Sequence, residues 1–188
     1  PTSTKLAIDL GSGHGIQSAA LVEIGFEVTA VDFSEKLLAE LKQNTGNRVK
    51  SINGDITEFK YPDEIKPELI VCMGDTLTHL SSINDVTKLI AKAGENLEKK
   101  GKLVISYRDL STELTGTSRF VNVKSDDKRI LTCFLEYKDE QVTVNDILHE
   151  YKAGKWEMKV SSYTKLKLPL EVVLEQVNAA GLNVIHTE

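Results

Sequence analysis

The stretch LAIDLGSGHGIQSAALVEIG, residues 6–25, runs from five mostly apolar residues straight into three glycines at alternate positions. Glycine loses more backbone entropy on folding than any other residue, so such a turn needs something that side chains would block. The possibilities are a tight turn, a close-packed helix, or a ligand lying against the backbone. The apolar run before the turn reads as a strand. After it, Ile16, Ala20 and Ile24 stand four apart and predict a helix over 14–24 with these residues on its apolar face. Backbone N–H groups at a strand–turn–helix junction face a ligand outside the carboxyl end of the strand. The dinucleotide fingerprint G-x-G-x-x-G/A is not met, because Ile16 stands where its third small residue belongs.

Further apolar runs follow KLAIDL (5–10) at FEVTAVD (26–32), RVKSINGD (48–55), ELIVCM (68–73) and KLVISY (102–107). They fit strands buried on both faces of a parallel sheet. Helical patterns separate them. In 34–44, Leu37, Leu38 and Leu41 lie behind Ser34, a predicted N-cap. In 84–98, Val86, Leu89, Ile90, Ala93 and Leu97 share one face, with Gly101 as the expected stop. The alternation predicts an α/β, doubly wound, mostly parallel Rossmann-like sheet.

After Tyr107 the rhythm changes to extended runs joined by KSDDK, KDE and KAGK. They read as an antiparallel β-meander over 119–167, inserted before the last helix and burying Leu131, Leu135 and Trp156. Pro169 opens that helix, which carries Leu170, Val173, Leu174 and Val177. Gly181 closes it, and LNVIH (182–186) is predicted as a last strand. The expected organisation is a ligand-binding core over 1–110, an inserted meander over 111–168, and a return to the core over 169–188.

At 188 residues the chain can bury one sizeable core. A net charge of −5 argues against a nucleic-acid partner, which needs clustered Lys and Arg. No apolar run approaches the ~18 residues of a membrane span, and no secretory leader is read. Cys72 and Cys133 lie in apolar runs and read as small hydrophobes in a reducing compartment, not as a disulfide or a metal site. We therefore expect a cytoplasmic location, no membrane partner and no metal. Only PTSTK precedes the first strand, as in a trimmed fragment.

Three acids stand at predicted strand ends: Asp9 just before the glycines, Asp32 twenty-one residues after Gly11, and Asp55 in INGDITEF. A lone carboxylate in such a place is usually a cap or a turn residue. Three in phase with a glycine turn suggest a ligand-facing rim. Burying Asp9 is costly unless a cationic group, or water leading to one, pairs with it. The spacing of Asp32 is that of an acid reaching ribose hydroxyls. The ligand these acids suit carries a ribose, a hydrogen-bonding base and an ammonium or sulfonium.

In this order AIDLGSGHG, VTAVDFS, NGDITEF and LIVCMGDTLTHL resemble the successive motifs of class I S-adenosylmethionine-dependent methyltransferases of the small-molecule type. The resemblance implies S-adenosyl-L-methionine as cofactor. Asp9 would lie near its amino group, with Gly11, Gly13 and Gly15 passing under the methionine moiety. Asp32 would bind the ribose hydroxyls while Phe33 flanks the adenine. Asp55 would accept from the adenine amino group beside Ile56, and Met73 and Gly74 would close the pocket.

GDTLTHL (74–80) and SYRDL (106–110) distantly resemble segments of glycine N-methyltransferases. The likeness implies that Arg108 grips a substrate carboxylate. Asp75 stands where that family carries asparagine, a departure that counts against glycine itself as substrate. His79 and Tyr107 are further candidates near the acceptor, and the meander resembles the extra sheet that covers substrate in such enzymes. The expected function is methyl transfer to nitrogen or oxygen of a small molecule. An NAD(P)-dependent dehydrogenase and a non-catalytic S-adenosylmethionine-binding protein are the competing readings.

Overall fold

A computed structural model describes residues 3–188, which form two compact units. The first extends to Arg108 and takes in Leu170–Glu188; the second is Asp109–Pro169.

In the first unit five parallel strands, β1 (Leu6–Leu10), β2 (Glu27–Asp32), β3 (Val49–Asn53), β4 (Leu69–Cys72) and β5 (Lys102–Ile105), lie in the order β3-β2-β1-β4-β5. The chain moves outward through β2 and β3, then returns to the other side of β1. The carboxyl ends of β1 and β4 therefore form the switch point at which open α/β sheets bind ligands. Helices α1 (Ile16–Glu23), α2 (Glu35–Thr45) and α3 (Ile83–Asn96) supply crossovers, and α4 (Leu170–Ala179) follows the second unit. Alternate residues of a central strand face opposite layers. Ala7, Val28, Ala30, Val49 and Val71 pack with Leu21 of α1 and with Leu38 and Leu41 of α2. Val86, Leu89, Ile90 and Ala93 form the buried face of α3, which Ser82 caps by accepting the Asp85 N–H at 3.2 Å.

In the first unit four details differ from the sequence expectations. In α1, Ser18 and Leu21 are buried, while Ile16 and Ile24 are 61% and 67% exposed. Ser18 must face Asp9, to which its hydroxyl donates at 2.6 Å. Two residues along a helix is about 200° of rotation, which turns Ile16 outward. β3 and β5 are edge strands and half-exposed: each lacks a neighbouring strand on one side and lies at the margin of the sheet. Helix α3 ends at Asn96, before Gly101, whose place is set by packing: a Cβ there would come within 3.0 Å of the Glu68 carbonyl. LNVIH forms no strand. Gly181 (φ +75°) closes α4 as expected, and Leu182 then packs over Gly94 of α3 instead of entering a ladder.

The second unit is an antiparallel sheet of β6 (Phe120–Ser125), β7 (Arg129–Tyr137), β8 (Gln141–Lys152) and β9 (Lys155–Leu166), in chain order. Its core joins Leu135, Val142 and Val144 to Leu110. The sequence groups Trp156 with Leu131 and Leu135, but strand parity separates them. Trp156 pairs with Tyr151 on the opposite face, and their rings meet there at 5.4 Å. Leu135 is buried, Leu131 half-buried and Trp156 exposed.

Candidate active site

The glycine turn after β1 takes left-handed backbone at Gly11, Gly13 and Gly15 (φ +72°, +54° and +89°). The Gly11 and Ser12 N–H groups both donate to the Val31 carbonyl, at 2.8 and 3.1 Å, which ties the turn to the end of β2. The three glycines answer to different neighbours. A Cβ on Gly11 would collide with the Thr76 side chain, and one on Gly15 would lie 2.7 Å from Leu41 Cγ of α2. Around Gly13 nothing lies within 4 Å of that position. Gly13 alone presents its backbone to open space, and its neighbour Ser12 keeps a buried hydroxyl with no partner among the described residues.

Asp32 ends β2 and is only 6% exposed, yet both of its oxygens are engaged. The Gly13 N–H donates to Oδ2 and the Ser34 N–H to Oδ1, each at 2.8 Å. Each oxygen retains acceptor capacity for a ligand hydroxyl. Ser34 caps α2 by accepting the Leu37 N–H at 3.3 Å, as its sequence position predicts. Between them Phe33 is 82% exposed, a large ring with no packing of its own.

Asp9 is 1% exposed and turned inward onto Ser18. Burial pushes its carboxyl up to about 6, against the lowering effect of the bonds from Ser18, and the neighbouring Asp32 charge adds to the rise. For a carboxyl with a raised folded-state pKa, the native state holds the extra proton. Its contribution to stability is therefore greatest below about pH 4 and falls as pH rises through about 6. Asp9→Asn removes the buried charge but keeps an acceptor for Ser18. Relative to the unaltered chain, the variant is expected to gain about 2–3 kcal/mol between pH 4 and pH 8, at ~1.36 kcal/mol per unit. Urea unfolding of both proteins at the two pH values measures this; a difference independent of pH would refute it.

Asp55 is exposed, and its Oδ1 accepts both the N–H and the hydroxyl of Thr57 at 2.8 Å. Ile56 beside it is half-buried. Met73 packs against the core formed with α1 and α2. Beyond it Gly74 (φ +70°) donates its N–H to Ser106 Oγ at 3.2 Å. Asp75 also takes the left-handed region (φ +72°), and its carboxylate accepts the backbone N–H of Arg108. It thus joins the loops after β4 and β5 and does not cap the turn that follows. Arg108 and His79 are exposed and Tyr107 is half-buried. Cys72 is fully buried, and burial together with the Asp9 charge pushes its thiol up to about 12, so it is inert packing.

Two positioning groups escaped the sequence reading. The Thr76 hydroxyl donates to the Met73 carbonyl at 2.9 Å and lies 3.3 Å from the Gly11 carbonyl, locking the β4 loop onto the glycine turn. The Asn53 amide lies 3.0 Å from the Phe33 carbonyl. Thr76 and Asn53 stand inside the motifs already singled out, but no spacing rule marks a side chain whose partner is a distant backbone carbonyl.

Residues 7–101, just over half of the chain, match the methyltransferase domain family model. The chain belongs to that family. It is 29% identical over 114 residues to the glycine/sarcosine N-methyltransferase of Parasynechococcus marenigrum, covering 59% of this chain and 40% of that protein. It is also 29% identical over 160 residues to the glycine N-methyltransferase of Rattus norvegicus, covering 76% and 53%. The chain thus spans about half the length of the curated relatives it matches. Among solved structures, the CcbJ methyltransferase of Streptomyces caelestis superposes with a TM-score of 0.82 at 21% identity, covering 96% of this chain and 73% of that one. The superposition establishes a shared fold. No helix among the described residues of this methyltransferase domain is long and apolar enough to cross a membrane, and none of their His, Cys, Asp and Glu side chains cluster as a metal site.

Proposed function

We propose that the chain is an S-adenosyl-L-methionine-dependent methyltransferase acting on the amine nitrogen of a small molecule. The observation that carries this reading is the rim formed after β1 and β2. There the buried, backbone-ordered carboxylate of Asp32 stands beside the open Gly13 and the exposed Phe33 ring. The donor set fits the cofactor: acceptors for two ribose hydroxyls, a flat apolar surface for a base, and an unpartnered Ser12 hydroxyl in the turn. When bound, S-adenosyl-L-methionine supplies a methyl group activated on a sulfonium. The chain's own part is to hold and align, since an oriented reacting pair can contribute roughly 7–11 kcal/mol.

Arg108 and Asp75 are the residues proposed to meet the acceptor. The exposed guanidinium is a fork suited to a carboxylate. Asp75 would hold an ammonium or take a proton from the amine before attack. The names of the matched relatives support an amine acceptor.

A screen of small amines with S-adenosylhomocysteine release as readout tests the activity. With an acceptor in hand, Arg108→Lys keeps the charge but loses the fork and is expected to raise KM more than it lowers kcat. Asp75→Asn tolerates the left-handed backbone and retains an acceptor for the Arg108 N–H, so it isolates the charge. It is expected to lower kcat. If both variants leave kcat/KM unchanged, the acceptor assignment is wrong.

A further inference from the structure

We propose that Asn53 is a positioning residue for the nucleoside end of the cofactor site, a role that rests on the reading of the rim given above. Asn53 is the last residue of β3 and forms the last rung of the ladder with Asp32. Its Nδ2 donates to the Phe33 carbonyl at 3.0 Å and lies 3.4 Å from the Asp32 carbonyl, while the Gly54 N–H donates to that same Asp32 oxygen at 3.0 Å.

Past this rung the β2 chain leaves the sheet and enters α2 within three residues. In that span it must aim the Asp32 carboxylate at Gly13 and hold out the Phe33 ring. The ring is 82% exposed, so side-chain packing does not fix the backbone that carries it. The Asn53 amide does so from outside the loop. A loop fixed before the ligand arrives loses less freedom on binding, and the saving appears as affinity.

The polarity is specific. An aspartate has the same shape, but at this position it would set a carboxylate oxygen against two carbonyl oxygens, next to the charge of Asp32. Asn53 itself is exposed and adds little to the core, so the ligand-free fold should barely register its loss.

The test compares the unaltered chain with Asn53→Ala and Asn53→Asp by calorimetry, using two probes. S-adenosylhomocysteine spans the whole site; 5′-deoxy-5′-methylthioadenosine keeps the nucleoside and lacks the amino-acid end. Asn53→Ala is expected to weaken both probes by the same factor, about three- to tenfold, because loop freedom that the amide removes in advance must then be lost on binding. Asn53→Asp should weaken them further, while the melting temperature without ligand stays within about 2 °C. A role in packing alone would leave the isosteric Asn53→Asp close to the unaltered chain, and that result would overturn the proposal. So would unchanged affinity in Asn53→Ala, or a loss confined to S-adenosylhomocysteine. If the unaltered chain binds neither probe, the cofactor reading itself fails and this role fails with it.

Discussion

Gly15→Ala is expected to destabilise the fold by about 2–5 kcal/mol, while Gly13→Ala, two residues earlier, costs only about 1–2. Both positions are left-handed, which penalises any L side chain by roughly 1–2 kcal/mol. At Gly15 a second cost adds to this. The new methyl would sit 2.7 Å from Leu41 Cγ, a fully buried core atom, and overpacking of that kind adds about 1–3 kcal/mol. Gly11→Ala belongs with Gly15, since its methyl meets the Thr76 side chain. At Gly13 the methyl enters open space, so Gly13→Ala should fold and instead lose affinity for S-adenosylhomocysteine. Urea unfolding and calorimetry on the three variants separate the two effects. Equal destabilisation by all three would refute this division of roles.

The second large effect is expected at Asp32. Removing its carboxylate in Asp32→Ala takes away the proposed acceptor for both ribose hydroxyls. With charged hydrogen bonds worth about 1.5–3 kcal/mol each and water replacing part of them, affinity for S-adenosylhomocysteine should fall by about 2–4 kcal/mol. The structure adds a consequence within the protein. The Gly13 and Ser34 N–H groups lose their partner together, so the turn after β1 and the start of α2 loosen at once. Asp32→Asn keeps one acceptor oxygen and should be intermediate in both respects. Calorimetry on variants shown by circular dichroism to be folded makes the measurement. Unchanged affinity in a folded Asp32→Ala protein would remove Asp32 from the ligand site.

The sheet was legible in the sequence because hydrophobic periodicity reports burial directly. Runs such as LAIDL and LIVC fit strands covered on both faces, and the helical stripe from Val86 to Ala93 requires an apolar partner layer. The meander was legible for the same reason, through its period of two and its turn residues. Periodicity misled where one contact outranks a whole face. The Asp9–Ser18 hydrogen bond sets the phase of α1 and leaves Ile16 and Ile24 in solvent. LNVIH has the composition of a strand, yet a strand exists only by pairing, and Leu182 is held against Gly94.

A strand, a glycine turn and a helix at the head of a doubly wound sheet, with acids at the strand ends, can be read from the residues alone. Those features are local: a glycine, an alternation or a strand-end carboxylate carries its meaning within a few residues. What each group faces follows from the folded chain. The fold separates the packing glycines, Gly11 and Gly15, from the open Gly13. It turns Asp9 inward, sets Asp32 between two backbone N–H groups, and brings Asn53 and Thr76 onto carbonyls twenty and sixty-five residues away. Such roles depend on which loops the strand order β3-β2-β1-β4-β5 makes neighbours, and that adjacency is a property of the folded sheet.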